Sequence, residues 1–419
     1  MMGKPVHREG KLFHVGFNLE ERVPADHPLR RIEAAVDFTF VRPLVGDLYG
    51  RNGHASLDPT LLLKLLFLCH YENVRSEREL MRQLPLRLDW LWFLGLDLDD
   101  PVPDHSVLSK ARRRWGEARF ERIFEQVLRL CLAAGLLQGK TVHADSTLLR
   151  ASAALDGRVP RQLWRQLESA CEAVPATTDD NGPSEPGTPL AAKAQGSLNA
   201  RLVSPVDPDA ATSTRKAGGT TLGYRDHRLV DDRCGIIVST IATPADTDDG
   251  AMLPGLLDRQ QQYTHRLPDE VVGDSMYGSR ANYDLLSSLG IQAYLKKRRG
   301  KDSPKVSWLR LLPVGCLADR AIHLLGRRRS RAEGSFAEAH QRMNHRRCRW
   351  RRRWRVQIQC YLVATVQNIK KLARKTAPQA PVGGLRQPNA PLKTPHDFFY
   401  PFPTHRKFQK MTLPASDGI

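Results

Sequence analysis

Apolar residues along this chain fall into two rhythms. Up to about residue 138 they come in helical blocks bounded by capping signals. Asp26 precedes a helix that opens near Pro28. Asp58 and Pro59 stand at the N-cap and first position of a buried helix running to about Tyr71, and Ser76 with Glu79 forms a capping box. A further helix opens at DHSVLSKARRRWG, capped by Asp104 or Ser106, and the amphipathic ARFERIFEQVLRLCLAAG closes at Gly135. Beyond residue 139 the rhythm changes to short apolar runs of strand type. These are KTVHADST (140–147), a hairpin of TLGYRDHRLV and CGIIVSTIAT with VDDR at its turn, DEVVGDS and IQAYLKK. Helical patterns intervene at RQLWRQLESACEA, AMLPGLLDRQQ, SRANYDLLSSLG, from about Arg331 to Asn344, and at VQIQCYLVATVQNIKKLA. Residues 172–220 are rich in Pro, Ser, Thr, Gly, Asp and Ala and read as a low-complexity insert, residues 298–325 as a basic excursion, and 376–419 as a Pro-rich disordered tail.

This order predicts an N-terminal arm (1–20), an all-α domain (21–138) and an α/β domain (139–375), a mixed sheet flanked by helices. MMGKPVHREG has no apolar core, and LLLKLLFLC (61–69) is too short to span a bilayer and carries Lys64, so a soluble, cytoplasmic protein without a membrane partner is expected. The seven cysteines are scattered without a C-x-x-C pair, which argues against a disulfide framework and a zinc ribbon.

The net charge is +19, and its location is informative. Residues 290–375 hold 24 Lys or Arg against four acids, essentially the whole excess. A solvated face mixes signs, whereas single-sign concentration favours a polyanion. Nucleic acid is the expected partner, with an acidic membrane surface a distant second. LSKARRRW fits a helix-turn-helix-like DNA reader or the solvent face of a helical bundle, and the sequence leaves both open. Trp350 and Trp354, interleaved with Arg, fit base stacking or core packing.

Three carboxylates carry the chemistry. Asp145 ends V-H-A-D, Asp274 ends V-V-G-D, where Gly273 leaves room for close approach, and Glu333 lies on a helix in RRRSRAEGSF. Strand Asp, strand Asp, helix Glu is the order an RNase H-like nuclease needs to hold two divalent ions against a phosphodiester, so residues 139–375 are expected to form an RNase H-like catalytic domain. His143 shares the strand face of Asp145 and reads mainly as a packed histidine; Ser146 and Thr147 can bond the Asp145 carboxylate or the scaffold. Tyr277 and Arg280, close after Asp274, are candidate phosphate contacts.

These blocks resemble a family. PADHPLRRIEAAVDF, LDPTLLLKLLFL, RSERELMRQLP, WFLGL and PDHSVLSKARRRWG, then VHADSTLLRA, SPVDPDA, LGYRDHRLVDD, VVGDSMYGSRANYDLL, RSRAEGSFAEA and VQNIKKL, resemble in order those of bacterial insertion-sequence DDE transposases. Within these the chain is most similar to the IS-four/IS-five superfamily, in the branch with a separate helical N-terminal domain. The resemblance implies Asp145, Asp274 and Glu333 as catalytic metal ligands and two Mg²⁺ ions, with Mn²⁺ as substitute. It implies cleavage at the inverted-repeat ends of an element, attack of the freed 3′-hydroxyl on target DNA, and a homodimeric or larger synaptic complex at the bacterial nucleoid. Arg329, His340, Arg347, Arg349, Arg351, Tyr277 and Arg280 are the expected DNA-binding residues. The superfamily's signature around the Glu reads Tyr-x2-Arg-x3-Glu-x6-Lys. Arg329 and Glu333 match it, while Gly326 stands at the Tyr position, His340 at the Lys position, and Arg352 where related chains often have Gly. Glu338, five residues past Glu333, would lie about 500° further round an α-helix and so on another face. Two alternatives follow: a degenerate transposase that only binds DNA, and a metal nuclease of different biological role.

Overall fold

In the computed structural model the described residues are 2, 18–50, 56–172, 197–215, 219–296 and 318–376. The polypeptide begins with helices: α1 Pro28–Ala35, α2 Pro59–Tyr71, α3 Glu77–Gln83, α4 Leu88–Leu94 and α5 Ser106–Ala133. Helix α2 is apolar all round, and it is accordingly buried on every side from Leu61 to His70. Its one ammonium, Lys64, survives there because Glu33 pairs with it at 2.7 Å and the Phe93 carbonyl accepts from it at 2.9 Å. Helix α5 is two helices joined at Gly116, whose φ of 63° only glycine adopts without cost. The expected caps are adjusted in detail. His27 rather than Asp26 caps α1, through a ring nitrogen that accepts from the Leu29 N–H. Asp58 sits at the α2 N-cap but spends its carboxylate on Arg42. Ser76 accepts from the Glu79 N–H at 3.1 Å.

The sheet follows. It comprises β1 Thr141–Arg150, β2 Ala211–Arg215, β3 Gly219–Asp231, β4 Ile237–Pro244, β5 Glu270–Gly273 and β6 Gln292–Leu295. The long β3 pairs antiparallel with β1 along one edge, and with β2 and then β4 along the other. On its far side β1 pairs parallel with β5, and β5 parallel with β6. Three antiparallel strands extended by two parallel ones on the far side of the first is the RNase H-like arrangement. Helices α6 Arg161–Glu172, α7 Leu253–Thr264 and α8 Arg280–Ser288 connect the strands. Helix α9 Ala318–Arg328 runs through a π turn, Arg329–Glu333, into α10 Gly334–Arg342, and α11 Arg353–Thr376 closes the fold.

The two rhythms of the sequence share one core. Leu65, Phe67 and Phe93 of the head, Val142 and Ile237 of the sheet, and Ile358 and Val363 of α11 belong to a single buried cluster. Helix α11 packs on α1, α2 and α5 and on β4, so the change near residue 138 is one of secondary structure rather than of core.

The low-complexity reading of 172–220 is too wide. Residues from Ser197 onward fold, with a short helix Leu198–Arg201 capped by Ser197, a strand pair of Val159–Pro160 with Leu202–Val203, and β2. Asn199 holds this segment by accepting from the Thr212 N–H and donating to its carbonyl, and buried Asp207 accepts from the Tyr224 hydroxyl at 2.6 Å. Residues 173–196 of the expected insert, the first part of the basic excursion and the tail from 377 lie outside the described residues, while 318–325 of that excursion are helical. Among the described residues no helix is long and apolar enough to cross a membrane.

Candidate active site

The register of β1 and β5 brings two of the three carboxylates together. His143 is opposite Val272, so two residues further on Asp145 and Asp274 emerge side by side where the parallel pairing ends. Gly273 lets its neighbours close in there: a Cβ would stand 2.7 Å from the Leu295 Cδ2 methyl and 3.2 Å from the Tyr277 Cβ, and one of them would have to shift. Strand alternation sends Asp145 and Ser146 to opposite faces. Asp145 faces the helical run through the π turn. Arg328 reaches its Oδ2 at 3.2 Å and, with its other terminal nitrogen, Oε1 of Glu333 at 2.7 Å. The π turn explains the pairing. Five residues of α-helix would turn the two side chains apart, whereas an i→i+5 turn returns them to one side. Arg327 on Asp232 at 2.8 Å and Arg331 on the Arg233 carbonyl at 2.9 Å pin this turn to the β3–β4 hairpin.

The electrostatics reflect this convergence. The Asp145 side chain is 14% exposed and that of Glu333 48%. Burial pushes the Asp145 carboxyl up, Arg328 and the Ser146 N–H pull it back, and the charges of Asp274 and Glu333 push it up again, to about 6. The Ser146 N–H donates to Asp145 at 2.9 Å, and the Met276 N–H donates to Asp274 at 2.8 Å.

On the other face, Ser146 donates to Asp249 at 2.7 Å, and Arg225 clamps both Asp249 oxygens at 3.0 Å. His227 lies 3.5 Å away, its pKa lowered to about 4 by burial despite Asp249. Gly250 lets this loop press on the Asp274 turn, since a Cβ there would meet the Met276 carbonyl at 2.6 Å. Asp249 and Arg225 escape the sequence reading, whose only available signal is a carboxylate shortly after β4.

Several expected DNA contacts are placed differently. Tyr277 is buried, not presented to solvent. It packs in the core, and its hydroxyl finds no hydrogen-bond partner among the described residues. Burial and the charges of Asp249, Asp145 and Asp274 hold its pKa well above the usual range. Arg349 turns inward and donates to the carbonyls of Val74 at 2.6 Å and Cys69 at 3.3 Å, tying the head to the segment before α11. Trp350 packs beneath the Arg112 guanidinium at 4.0 Å and edge-on to His70, so it is a docking side chain, and Trp354 also packs on the core. His340 lies 3.2 Å from Thr147 and against Phe336. Burial and the charges of His345, Arg346 and Arg228 lower its pKa to about 4, so it is neutral at pH 7 and cannot replace a lysine's charge. Arg280, Arg329, Arg347 and Arg351 are exposed. Arg329, matched by motif spacing, stands in solvent, and its neighbour Arg328 is the one that meets the acids. Glu338 accepts from Gln367 at 3.0 Å and pairs with Lys370, committing it to α11. His143 is buried and bonded to Asp232 at 2.8 Å.

The donor set fits hard divalent cations: three carboxylates, already bridged in part by a guanidinium that stands in for a cation. A cluster of Asp226, His345 and Cys360 also brings potential ligands together, but the Asp226 oxygens there are taken by Arg228, His345 and Thr240.

An RNase H-like sheet that carries one aspartate within β1 and another just past β5, where their parallel pairing ends, beside a glutamate-bearing helical turn, is the framework of enzymes that break and rejoin nucleic-acid backbones. Family comparison narrows the class. A model described as a transposase domain (DUF772) matches residues 17–114, and one described as a transposase DDE domain matches residues 188–369. The chain belongs to the DDE transposases, with the two-domain architecture of insertion-sequence enzymes. Asp274 and Glu333 fall inside the second match, and Asp145 lies ahead of it. No curated protein matches the chain. Among solved structures, the piggyBac transposase synaptic complex with hairpin DNA matches over 83% of this chain and 75% of that one, at 9% identity and a TM-score of 0.35. The Mos1 transposase paired-end complex with the left transposon end matches over 73% and 86%, at 13% identity and a TM-score of 0.18.

Proposed function

We propose that this transposase, of the IS-four/IS-five type, cleaves phosphodiester bonds at the inverted-repeat ends of its element and joins the 3′-hydroxyl ends to target DNA, with Asp145, Asp274 and Glu333 as the metal-binding trio. The observation that carries the reading is the convergence of these three carboxylates, from two strands and a π turn, on the open end of the sheet. Two Mg²⁺ ions, with Mn²⁺ as substitute, would supply activation of the attacking oxygen and stabilisation of the leaving one. The chain's own part is to hold oxygen donors in place. Asp145 is fixed by the Ser146 N–H, Asp274 by the Met276 N–H, and the Ser146–Asp249–Arg225 cluster braces the strand between them. Exposed Arg280, Arg329, Arg347 and Arg351 supply cationic surface for the DNA backbone. Work at two element ends calls for a homodimeric synaptic complex at the bacterial nucleoid. The degenerate, binding-only alternative is not favoured, because all three carboxylates are present and converge.

The test is incubation of the purified protein with Mg²⁺ and a plasmid carrying its own flanking DNA, beside Asp145→Ala. End-specific nicks or joined products, absent in the variant, are expected. DNA binding without any product would overturn the catalytic reading. Cutting without preference for the ends would favour a nuclease of another role.

A further inference from the structure

Arg328 occupies the place where a cation is wanted. Its two terminal nitrogens contact Asp145 at 3.2 Å and Glu333 at 2.7 Å, and its side chain is only 16% exposed. The flanking arginines are otherwise engaged: Arg327 and Arg331 hold the β3–β4 hairpin, and Arg329 is exposed. Three acids gathered at one sheet end repel one another, and a partly buried carboxylate needs a counter-charge. The π turn that brings position 328 onto the side of position 333 supplies it. A guanidinium bonded to two carboxylates, however, covers the oxygen lone pairs that a divalent ion would use.

We propose that Arg328 is a resident counter-cation of the acid trio, stabilising the metal-free protein and competing with the divalent ion, so that metal loading requires this side chain to swing away. The proposal rests on the metal-binding reading of Asp145, Asp274 and Glu333. It makes Arg328 a positioning residue that sets metal affinity, and it gives the π turn a purpose that an uninterrupted α-helix would not serve.

Mn²⁺ titration by calorimetry, with thermal unfolding at zero and saturating Mn²⁺, tests this on the full chain and on Arg328→Gln, Arg328→Lys and Arg329→Gln. Arg328→Gln should bind Mn²⁺ at least about ten-fold more tightly, equal to about 1.4 kcal/mol. Its metal-free form should melt lower than the parent, and its Mn²⁺-induced rise in Tm should be the larger. Arg328→Lys, which keeps the charge, should stay within about three-fold of the parent, as should Arg329→Gln. Equal or weaker Mn²⁺ binding by a folded Arg328→Gln would overturn the proposal while leaving the metal-binding reading intact. If Arg328→Gln does not fold, a tightening in Arg328→Lys of about ten-fold or more would overturn it equally, since that charge should still compete. Absence of Mn²⁺ binding to the parent, with Asp145→Ala indistinguishable from it, would overturn the metal-binding reading and this proposal with it.

Discussion

Replacing Arg228 with Met should unfold this protein readily, although Arg228 touches none of the three carboxylates of the candidate site. Arg228 lies opposite Asp145 in the β1–β3 register, and both it and Asp226 are fully buried. Its guanidinium donates to Asp226 at 2.8 Å and to Gln367 of α11 at 3.0 Å, and it lies 4.6 Å over the Phe336 ring. Burial alone would push the Asp226 carboxyl up. Arg228, His345 at 2.9 Å and the Thr240 hydroxyl at 2.6 Å overturn that and hold it well below the carboxylate range. Methionine fills much of the volume but leaves a buried anion with two neutral donors. Breaking a buried pair in this way costs about 3–5 kcal/mol, whereas replacing both partners with apolar residues is often close to neutral. At roughly 2–4 °C per kcal/mol, Arg228→Met should lower Tm by about 6–20 °C, and the double variant Asp226→Leu, Arg228→Met should recover most of that. The pH dependence has a definite sign. In the parent the depressed Asp226 carboxyl contributes stability that is present at neutral pH and lost as pH falls. In Arg228→Met the same carboxyl is raised, so the deficit against the parent should shrink as pH is lowered through the carboxylate range. Thermal and urea unfolding followed by circular dichroism measure all three. A single variant within about 1 kcal/mol of the parent, or a double variant no better than the single, would refute this account of the network.

Two further outcomes follow from local geometry. Arg352 adopts a φ of 72°, so the position where related chains often carry Gly is one where a side chain costs about 1–2 kcal/mol. Glycine's extra chain entropy takes back about 0.5–1 kcal/mol, and the half-exposed contact with Asp209 at 4.0 Å is worth a few tenths. Arg352→Gly should therefore leave stability unchanged or raise it by up to about 1 kcal/mol in urea unfolding; a clear loss would mean the Arg side chain does more than its contacts indicate. Asp249→Asn keeps the shape of the Ser146–Asp249–Arg225 cluster and removes its charge. We expect a loss of about 1–3 kcal/mol of stability and a cleavage rate at least about ten-fold lower in the plasmid assay, and cleavage at the parental rate would remove Asp249 from the site.

Local signals carry much of this protein. Capping residues and helical spacing mark α2 and α3, and β-type apolar runs mark β1, β5 and β6. Asp274 stands just past β5, where a buried run gives way to a turn, whereas Asp145 reads as a strand end from its local run but β1 continues to Arg150, paired with β3. Turn angle alone sets Glu338 apart from Glu333, and the ion pair of Glu338 with Lys370 agrees with it. What stays hidden depends on contacts across the chain. Arg328 and Arg329 are adjacent in the same basic run, and only the π turn decides which of them meets the acids. Arg349 reads as DNA-facing because it sits among arginines, and Trp350 fits base stacking as well as core packing. Carbonyls of α2 and the turn after it claim the first, and Arg112 of α5 claims the second, all of them far away in the chain. Tyr277 follows Asp274 closely and reads as a phosphate contact, yet the space left by Gly273 admits its ring to the core. Composition makes 197–215 look structureless, although Asn199 and Asp207 bond partners on neighbouring strands. Which residues can form helix, strand and metal-seeking carboxylate is written in the chain itself, because those properties are local. Which charges are spent on the protein's own groups and which are left for DNA is settled only on folding, because a side chain's role is set by the partner that reaches it first.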